Sequence, residues 1–242
     1  MKPIIFVGPT LHGDAALRSK AFVWSPPAMR GDIYSATKRK PRFIGLIDGC
    51  FETGPSVWHK EILWALTHGI RVYGSASMGA LRAAELAPFG MIGIGSIYER
   101  YRDGPLEDDD EVAVLHAPEE LAYGPLTEAM VDIRATVDHA LADRKISQRT
   151  GSVLLKIGKA TFFKERTWEH ILAQAAKADV PLTQVEVLKR WLPHNRVEQK
   201  RRDALKMLDA IARASRRRPK PYRARFAFQH TQFWQNVMES YP

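Results

Sequence analysis

Along the first ninety residues, short apolar runs alternate with longer stretches in which apolar residues recur every three or four positions. "KPIIFVGPT", "PRFIGLIDG" and "IRVYG" read as buried strands, each closed by a Gly or a Gly-Pro or Asp-Gly pair. Between them, "VWHKEILWALTHG" carries Val57, Ile62, Leu63 and Leu66 at helical spacing and stops on Gly69. "SMGALRAAELAPFG" makes a second helix, closed by Pro88 and Gly90. "LHGDAALRSKA" is expected to begin a connecting helix, while "SPPAMRGDIYSATKR" is rich in turn residues. Strands separated by helices of this length predict βαβ units, because parallel neighbours need a long crossover.

Beyond Met91 the pattern loosens, with one further strand candidate over Glu111 to Leu115. Helical periodicity returns from Thr127 in "TEAMVDIRATVDHALADRK", "SQRTGSVLLKIGKATFF", "TWEHILAQAAKA" and "PLTQVEVLKRWLP". The expected fold class is therefore α/β, a mostly parallel sheet flanked by helices, with a helical C-terminal portion. The expected division is a core over residues 1–145 and a helical region over 146–242.

The 242 residues are 45% hydrophobic, enough for a sizeable core. No apolar run reaches the length of a membrane span, and "MKPIIFVGPT" lacks the features of a signal peptide, so the expected location is cytoplasmic. A single cysteine, Cys50, and histidines without metal-ligand spacing give no reason to expect a disulfide, a structural metal or a cofactor. The net charge of +9 is local. Residues 196–225 hold twelve Lys/Arg against three Asp/Glu, which accounts for all of it. That basic segment is expected to be a docking surface for an acidic partner, outside the core, with Arg216, Arg217 and Arg218 as partner-binding residues.

Candidate chemistry gathers where "VYGSASMG" turns from strand into helix, since parallel sheets place their sites at the carboxyl ends of strands. Small residues around Ser77 permit a sharp turn that would expose its hydroxyl, with the Met78 amide aimed at a developing oxyanion. The alternative is an ordinary helix N-cap. A base is available from "VWHKEIL", because that helix also starts at the carboxyl edge. His59 offers the intrinsically easier kind of base near neutral pH, and a lysine such as Lys60 can act where desolvation favours the neutral amine. The residues alone leave both open. Asp48 and Gly49 end the second strand and could orient the base or supply a second oxyanion amide; an Asp-Gly turn is the plainer reading. Cys50 is a possible thiol nucleophile or a small buried hydrophobe. "EDDDE" could hold a hard cation, although a solvated acidic loop explains it more simply. No phosphate-binding glycine motif occurs in the sequence.

Taken in order, "IFVGPTLHG", "PPAMRGDIYSA", "IGLIDGCF", "SVWHKEILWAL", "VYGSASMGALRAAEL" and "DGPLEDDDEVAVLH" resemble the TfuA family, partner proteins of YcaO enzymes in peptide backbone thioamidation. The resemblance spans roughly residues 4–145 and is most specific in "SMGALRAAEL" beside "HKEIL". It implies a hydrolase-like release of sulfide from a thiocarboxylated, ThiS-like sulfur carrier, in support of YcaO acting on a substrate peptide. It also implies a Ser-Lys catalytic pair, which on this sequence falls on Ser77 and Lys60. Arg82, one turn into the following helix, could attract the anionic thiocarboxylate, with His59 nearby; a helix-surface arginine is the simpler reading of Arg82. A noncatalytic adaptor that docks carrier and peptide to YcaO accounts for the basic segment equally well. Nucleic-acid binding through "SRRRPKPYRARF" is permitted by charge, but no nucleic-acid motif accompanies the patch.

Overall fold

The computed structural model describes residues 1–50, 54–178, 180–217 and 219–241. The chain forms two compact units, Met1–Glu107 with Arg201–Pro242, and Asp108–Lys200. This division is not a single cut near residue 145: the first unit takes back the C-terminal end of the chain.

In the first unit, β1 (Ile4–Phe6), β2 (Val23–Ser25), β3 (Phe43–Leu46), β4 (Arg71–Ser75) and β5 (Ile92–Ile94) form one sheet in the order β2-β1-β3-β4-β5. Every pairing is parallel. The central strands are buried on both faces, which explains why they read as continuous apolar runs. The edge strands β2 and β5 are three residues each and half-buried, so no run or alternation marks them in the sequence.

Three crossovers step the same way along the sheet, through α1 (Asp32–Lys38), α2 (His59–Thr67) and α3 (Met78–Leu86). Right-handed connections of one direction cover one face. The connection from β1 to β2 steps the opposite way, so the direction of winding reverses between β1 and β3. The carboxyl ends of these two strands form the crevice where such sheets bind ligands. Two 3-10 turns, Pro9–Leu11 and Ala15–Arg18, fill that connection in place of the helix expected over 11–21. The turn-rich stretch after β2 contains α1, which starts behind Gly31 at φ +95°. Beyond β5 follows α4 (Ser96–Arg102).

The other face of the sheet is covered by a helix from the basic segment. After α5 (Met130–Ala142), α6 (Gln148–Ala160), α7 (Trp168–Lys177) and α8 (Leu182–Asn195) of the second unit comes α9 (Gln199–Arg217). From α9, Ala204, Met207, Leu208 and Ile211 pack against Ile5, Val7, Phe43, Ile47 and Tyr73. Asp203, fully buried, accepts the Ile97 amide at 2.8 Å and so caps α4. The expectation that residues 196–225 lie outside the core is thus corrected: α9 is amphipathic, with its charges on the solvent side and an apolar stripe on the sheet. Gly45 permits the close approach, since a Cβ there would meet Ile5 Cδ1 at 2.7 Å and Met207 Cε and Ile211 Cδ1 at 3.0 Å.

The segment after α9 runs back over the helices of the opposite face. The Tyr222 amide donates to Gly69 O at 3.0 Å and its hydroxyl to Phe89 O at 2.9 Å. The chain ends in α10 (Gln232–Ser240), whose buried Trp234 packs on Tyr34 and Trp64 with ring centroids 5.5 Å apart in each case.

The second unit packs α5 to α8 around Ile133, Val137, Leu154, Trp168, Ile171 and Leu188. Residues 111–115 are not a strand: a 3-10 turn over Asp109–Glu111 takes their place. There Glu111 holds the Arg134 fork at 2.8 and 2.9 Å, Arg166 reaches Asp110 at 2.7 Å, and Lys159 bridges Asp108, Asp110 and Glu111. Three of the loop's carboxylates, Asp108, Asp110 and Glu111, are thus paired with basic side chains of their own unit. Among the described residues no group of three or more His, Cys, Asp or Glu is placed to hold a metal ion. No described helix is long and apolar enough to cross a membrane.

Candidate functional site

The junction of β4 and α3 is built around a backbone turn tighter than a β-turn. The Ser77 amide donates to Ser75 O at 2.8 Å, and Ala76 between them has φ +66°. A bond from residue i+2 to residue i around a positive φ defines the rare, strained form of the γ-turn. For an alanine this conformation costs of the order of 1–3 kcal/mol and persists only where the surroundings enforce it.

Two glycines enforce it here. A Cβ on Gly79 would lie 1.8 Å from Leu46 O, and one on Gly74 would lie 2.1 Å from Gly79 O. The Gly79 amide donates to Ile47 O at 3.1 Å, tying the first turn of α3 to the end of β3. Ser75 is fully buried and spends its hydroxyl on Ile94 O at 2.7 Å, holding β5. Its role is structural.

Ser77 occupies the N-cap position, buried, with φ −112° and ψ −127°, yet its side chain makes no capping bond to the helix amides. The ordinary reason for a serine at this position is therefore missing. Beside it, Gly49 lies against Met78, whose Cγ would be 2.8 Å from a Gly49 Cβ. The amides of Met78 and Gly49 donate to no acceptor among the described residues. Ser77, Met78 and Gly49, expected to form one group, are brought together at the carboxyl ends of β3 and β4.

Asp48 sits one residue earlier, in the winding-reversal crevice. Buried, it accepts the Gly8 amide at 2.8 Å, the Thr10 amide at 3.1 Å and the Thr10 hydroxyl at 2.6 Å. Its carboxylate fixes the loop after β1 against the Asp48-Gly49 turn and so orients the backbone that carries the Gly49 amide. Cys50 is partly exposed, and its amide donates to Ala28 O at 3.1 Å.

The first turn of α2 sends its side chains three ways. Glu61, fully buried, accepts the amides of Gly31 at 2.8 Å and of Tyr34 and Trp58 at 3.2 Å, joining the starts of α1 and α2. Burial pushes its carboxyl above the usual carboxylate range despite those three donors. His59 Nε2 lies 2.7 Å from Glu85 Oε2, which also accepts Arg82 at 2.8 Å, and Arg82 Nε donates to Val57 O at 3.0 Å. Burial acts to raise the Glu85 carboxyl, but the His59 hydrogen bond and the Arg82 charge outweigh it and hold it below the ordinary range. Arg82 and His59 are thus clustered through Glu85, and Arg82 braces the loop before α2.

Lys60 turns to the C-terminal segment, where Nζ donates to Thr231 Oγ1 at 2.8 Å and lies 5.6 Å from the centroid of the Phe228 ring. It makes no hydrogen bond to Ser77. Thr231 also caps α10 through Trp234 N at 3.3 Å, so one hydroxyl serves both. Sequence reasoning missed Thr231, Phe228 and Glu85, which lie 171, 168 and 26 positions or so from their partners and carry no local signal. Arg216 and Arg217 are exposed in the last turn of α9, and Arg218 lies outside the described residues.

No curated protein matches the chain. Residues 48–167 match the family described as TfuA-like protein, a stretch that starts at Asp48 and takes in α2, the γ-turn and α3. The chain belongs to the TfuA-like family, which is associated with YcaO partnering.

Proposed function

We propose that the chain releases sulfide hydrolytically from a thiocarboxylated ThiS-like carrier, with Ser77 as nucleophile and Lys60 as base, in support of YcaO-dependent thioamidation of a substrate peptide. The observation that carries this reading is the strained γ-turn at Ala76, which holds a buried Ser77 beside the Met78 and Gly49 amides, neither of which donates to an acceptor among the described residues. A merely structural turn needs no such strain, whereas an acyl-transfer site needs a serine held on a sharp turn with backbone donors beside it.

In this mechanism Lys60 Nζ takes the Ser77 proton as Ser77 Oγ bonds to the thiocarboxylate carbon. The Met78 and Gly49 amides hold the oxyanion. As the oxyanion collapses, Lys60 passes that proton to the sulfur, so the C–S bond breaks and hydrosulfide leaves; water, giving a proton to Lys60, then cleaves the acyl-serine, the Lys60 proton returns to the serine oxygen, and the carrier carboxylate departs with its acid proton released to solvent. Lys60 must exchange Thr231 for Ser77 to do this. That requirement is the specific observation favouring the second reading, a noncatalytic adaptor in which Lys60 simply anchors the C-terminal segment.

Sulfide release from thiocarboxylated carrier separates the two. If Ser77 and Lys60 act as a unit, Ser77→Ala and Lys60→Ala each cost on the order of 10³ in rate, and the double variant costs little more. Cys50→Ala stays within about a few-fold, as expected of a bystander. Folded Ser77→Ala and Lys60→Ala proteins that keep near-wild-type rates would reject the hydrolase and leave the adaptor.

A further inference from the structure

The edge of the sheet opposite Ser77 carries a second concentration of chemistry. A cavity of about 870 Å³ opens there between the loop Ala87–Gly90 and the segment Lys220–Phe226. Arg71, at the start of β4, lines it and also lines an adjoining cavity of about 150 Å³ that reaches Lys40 and Arg42. Together the two are walled by six cations, Lys40, Arg42, Arg71, Lys220, Arg223 and Arg225, and by no acidic residue. None of the six enters an ion pair with the described residues. Arg71 donates one terminal N–H to Lys220 O at 3.2 Å, while its buried Nε has no acceptor among the described residues. A buried guanidinium N–H left without an acceptor is costly, and six unneutralised cations repel one another. Both are relieved by an anionic occupant.

The shape selects the kind of anion. Arg42 and Arg71 stand at the starts of the neighbouring strands β3 and β4, and Gly90 stands just before β5. With about 4.8 Å between strands, the band is roughly 10 Å across, the reach of about three extended residues, so a single small anion leaves most of it unfilled. The walls between the cations are apolar and rigid, formed by Pro41, Pro88, Pro221 and Phe89. The aromatic rings here are held against one another and not set out as a stacking row: Phe89 and Phe226 meet edge to face at 5.5 Å, and the Tyr222 hydroxyl donates to Phe89 O. Arginine forks over apolar walls suit spaced carboxylates on an extended chain.

We propose that this amino-edge groove is a docking site for an extended acidic segment of a partner protein. It stands apart from the catalytic reading, because Arg71 and Ser77 bracket opposite ends of β4. The test is fluorescence anisotropy of a labelled Glu-rich decapeptide against the full chain, beside a labelled single-stranded oligothymidylate of equal length. Arg223 and Arg225 are exposed, so R223E/R225E changes charge without touching the core. The expected result is saturable peptide binding that weakens about tenfold or more in this variant and as salt is raised. The control K145E/K177E makes the same net-charge change at exposed sites of the second unit and shifts affinity by less than about twofold. Equal loss in both variants, absence of saturable peptide binding, or tighter oligothymidylate binding that R223E/R225E abolishes would each overturn the proposal. Sulfide release by the wild type is a separate readout, so failure of one reading leaves the other standing.

Discussion

Gly79→Ala tests whether the contact between α3 and β3 sets the site. Its Cβ would fall 1.8 Å from Leu46 O and 2.6 Å from Leu46 C, both backbone atoms of a central strand that no side-chain rotation can move. Reaching even 3.0 Å from that oxygen requires the start of α3 to withdraw by 1.2 Å. Withdrawal stretches the 3.1 Å bond from the Gly79 amide to Ile47 O beyond hydrogen-bonding range, leaving both groups buried and unpaired. Overpacking of about 1–3 kcal/mol plus an unsatisfied buried pair of about 1–3 kcal/mol puts the destabilisation at about 2–6 kcal/mol. For a chain of this size that lowers Tm by about 4–24 °C. The same shift carries Ser77 and the Met78 amide away from Gly49, and a misplacement of about 1 Å costs on the order of 10²-fold in rate when the geometry is catalytic. Thermal unfolding and sulfide release, both read on the full chain, check the two consequences. A Gly79→Ala protein with unchanged Tm would show that the α3–β3 contact is slack, and the account of how the γ-turn is enforced would be wrong.

Met207→Ala should cost about 2–5 kcal/mol in chemical denaturation because Met207 is fully buried against the sheet, whereas Arg216→Ala and Arg217→Ala should stay within about 0.5 kcal/mol; equal effects would return the basic segment to the surface. Asp48→Asn should destabilise by about 1–3 kcal/mol, since an amide cannot serve all three donors of Gly8 and Thr10 with a charged acceptor; a neutral result would remove Asp48 from the architecture of the crevice. Burial pushes the Asp132 carboxyl up to about 7, against the opposing charge of Lys200. A raised acid binds its proton more tightly in the folded state, so its contribution is full below about pH 4 and is lost as pH rises through about 7; Asp132→Asn, which keeps an acceptor for the Lys200 amide 2.9 Å away, should flatten the stability–pH curve between about pH 4 and 7, and an unchanged slope would refute the assignment.

The sequence by itself determined the class of the fold and the place of the tight turn that carries Ser77. Continuous apolar runs at β1, β3 and β4 follow from burial on both faces, and the helical periods of α2 and α3 between and after β3 and β4 require the parallel sheet. The small residues of "GSASMG" already mark a turn too tight for side chains, so Ser77 could be singled out. Helices α5 to α8 likewise carry their period openly.

Tertiary structure decided what depends on partners distant in sequence. The edge strands β2 and β5 are three residues of ordinary composition that become strands only because β1 and β4 offer free edges to pair with. A run of twelve basic residues against three acidic ones reads as solvated, yet α9 has an apolar stripe that the sheet face below Gly45 selects. Charge composition reports the outer side of an amphipathic helix and says nothing about which surface takes the inner one. The positive φ of Ala76 is imposed by the contact of Gly79 with Leu46 O, and the contacts of Lys60 are made with Thr231 and Phe228 near the far end of the chain. Local propensity encodes neither: both result from packing surfaces that meet only when the chain closes.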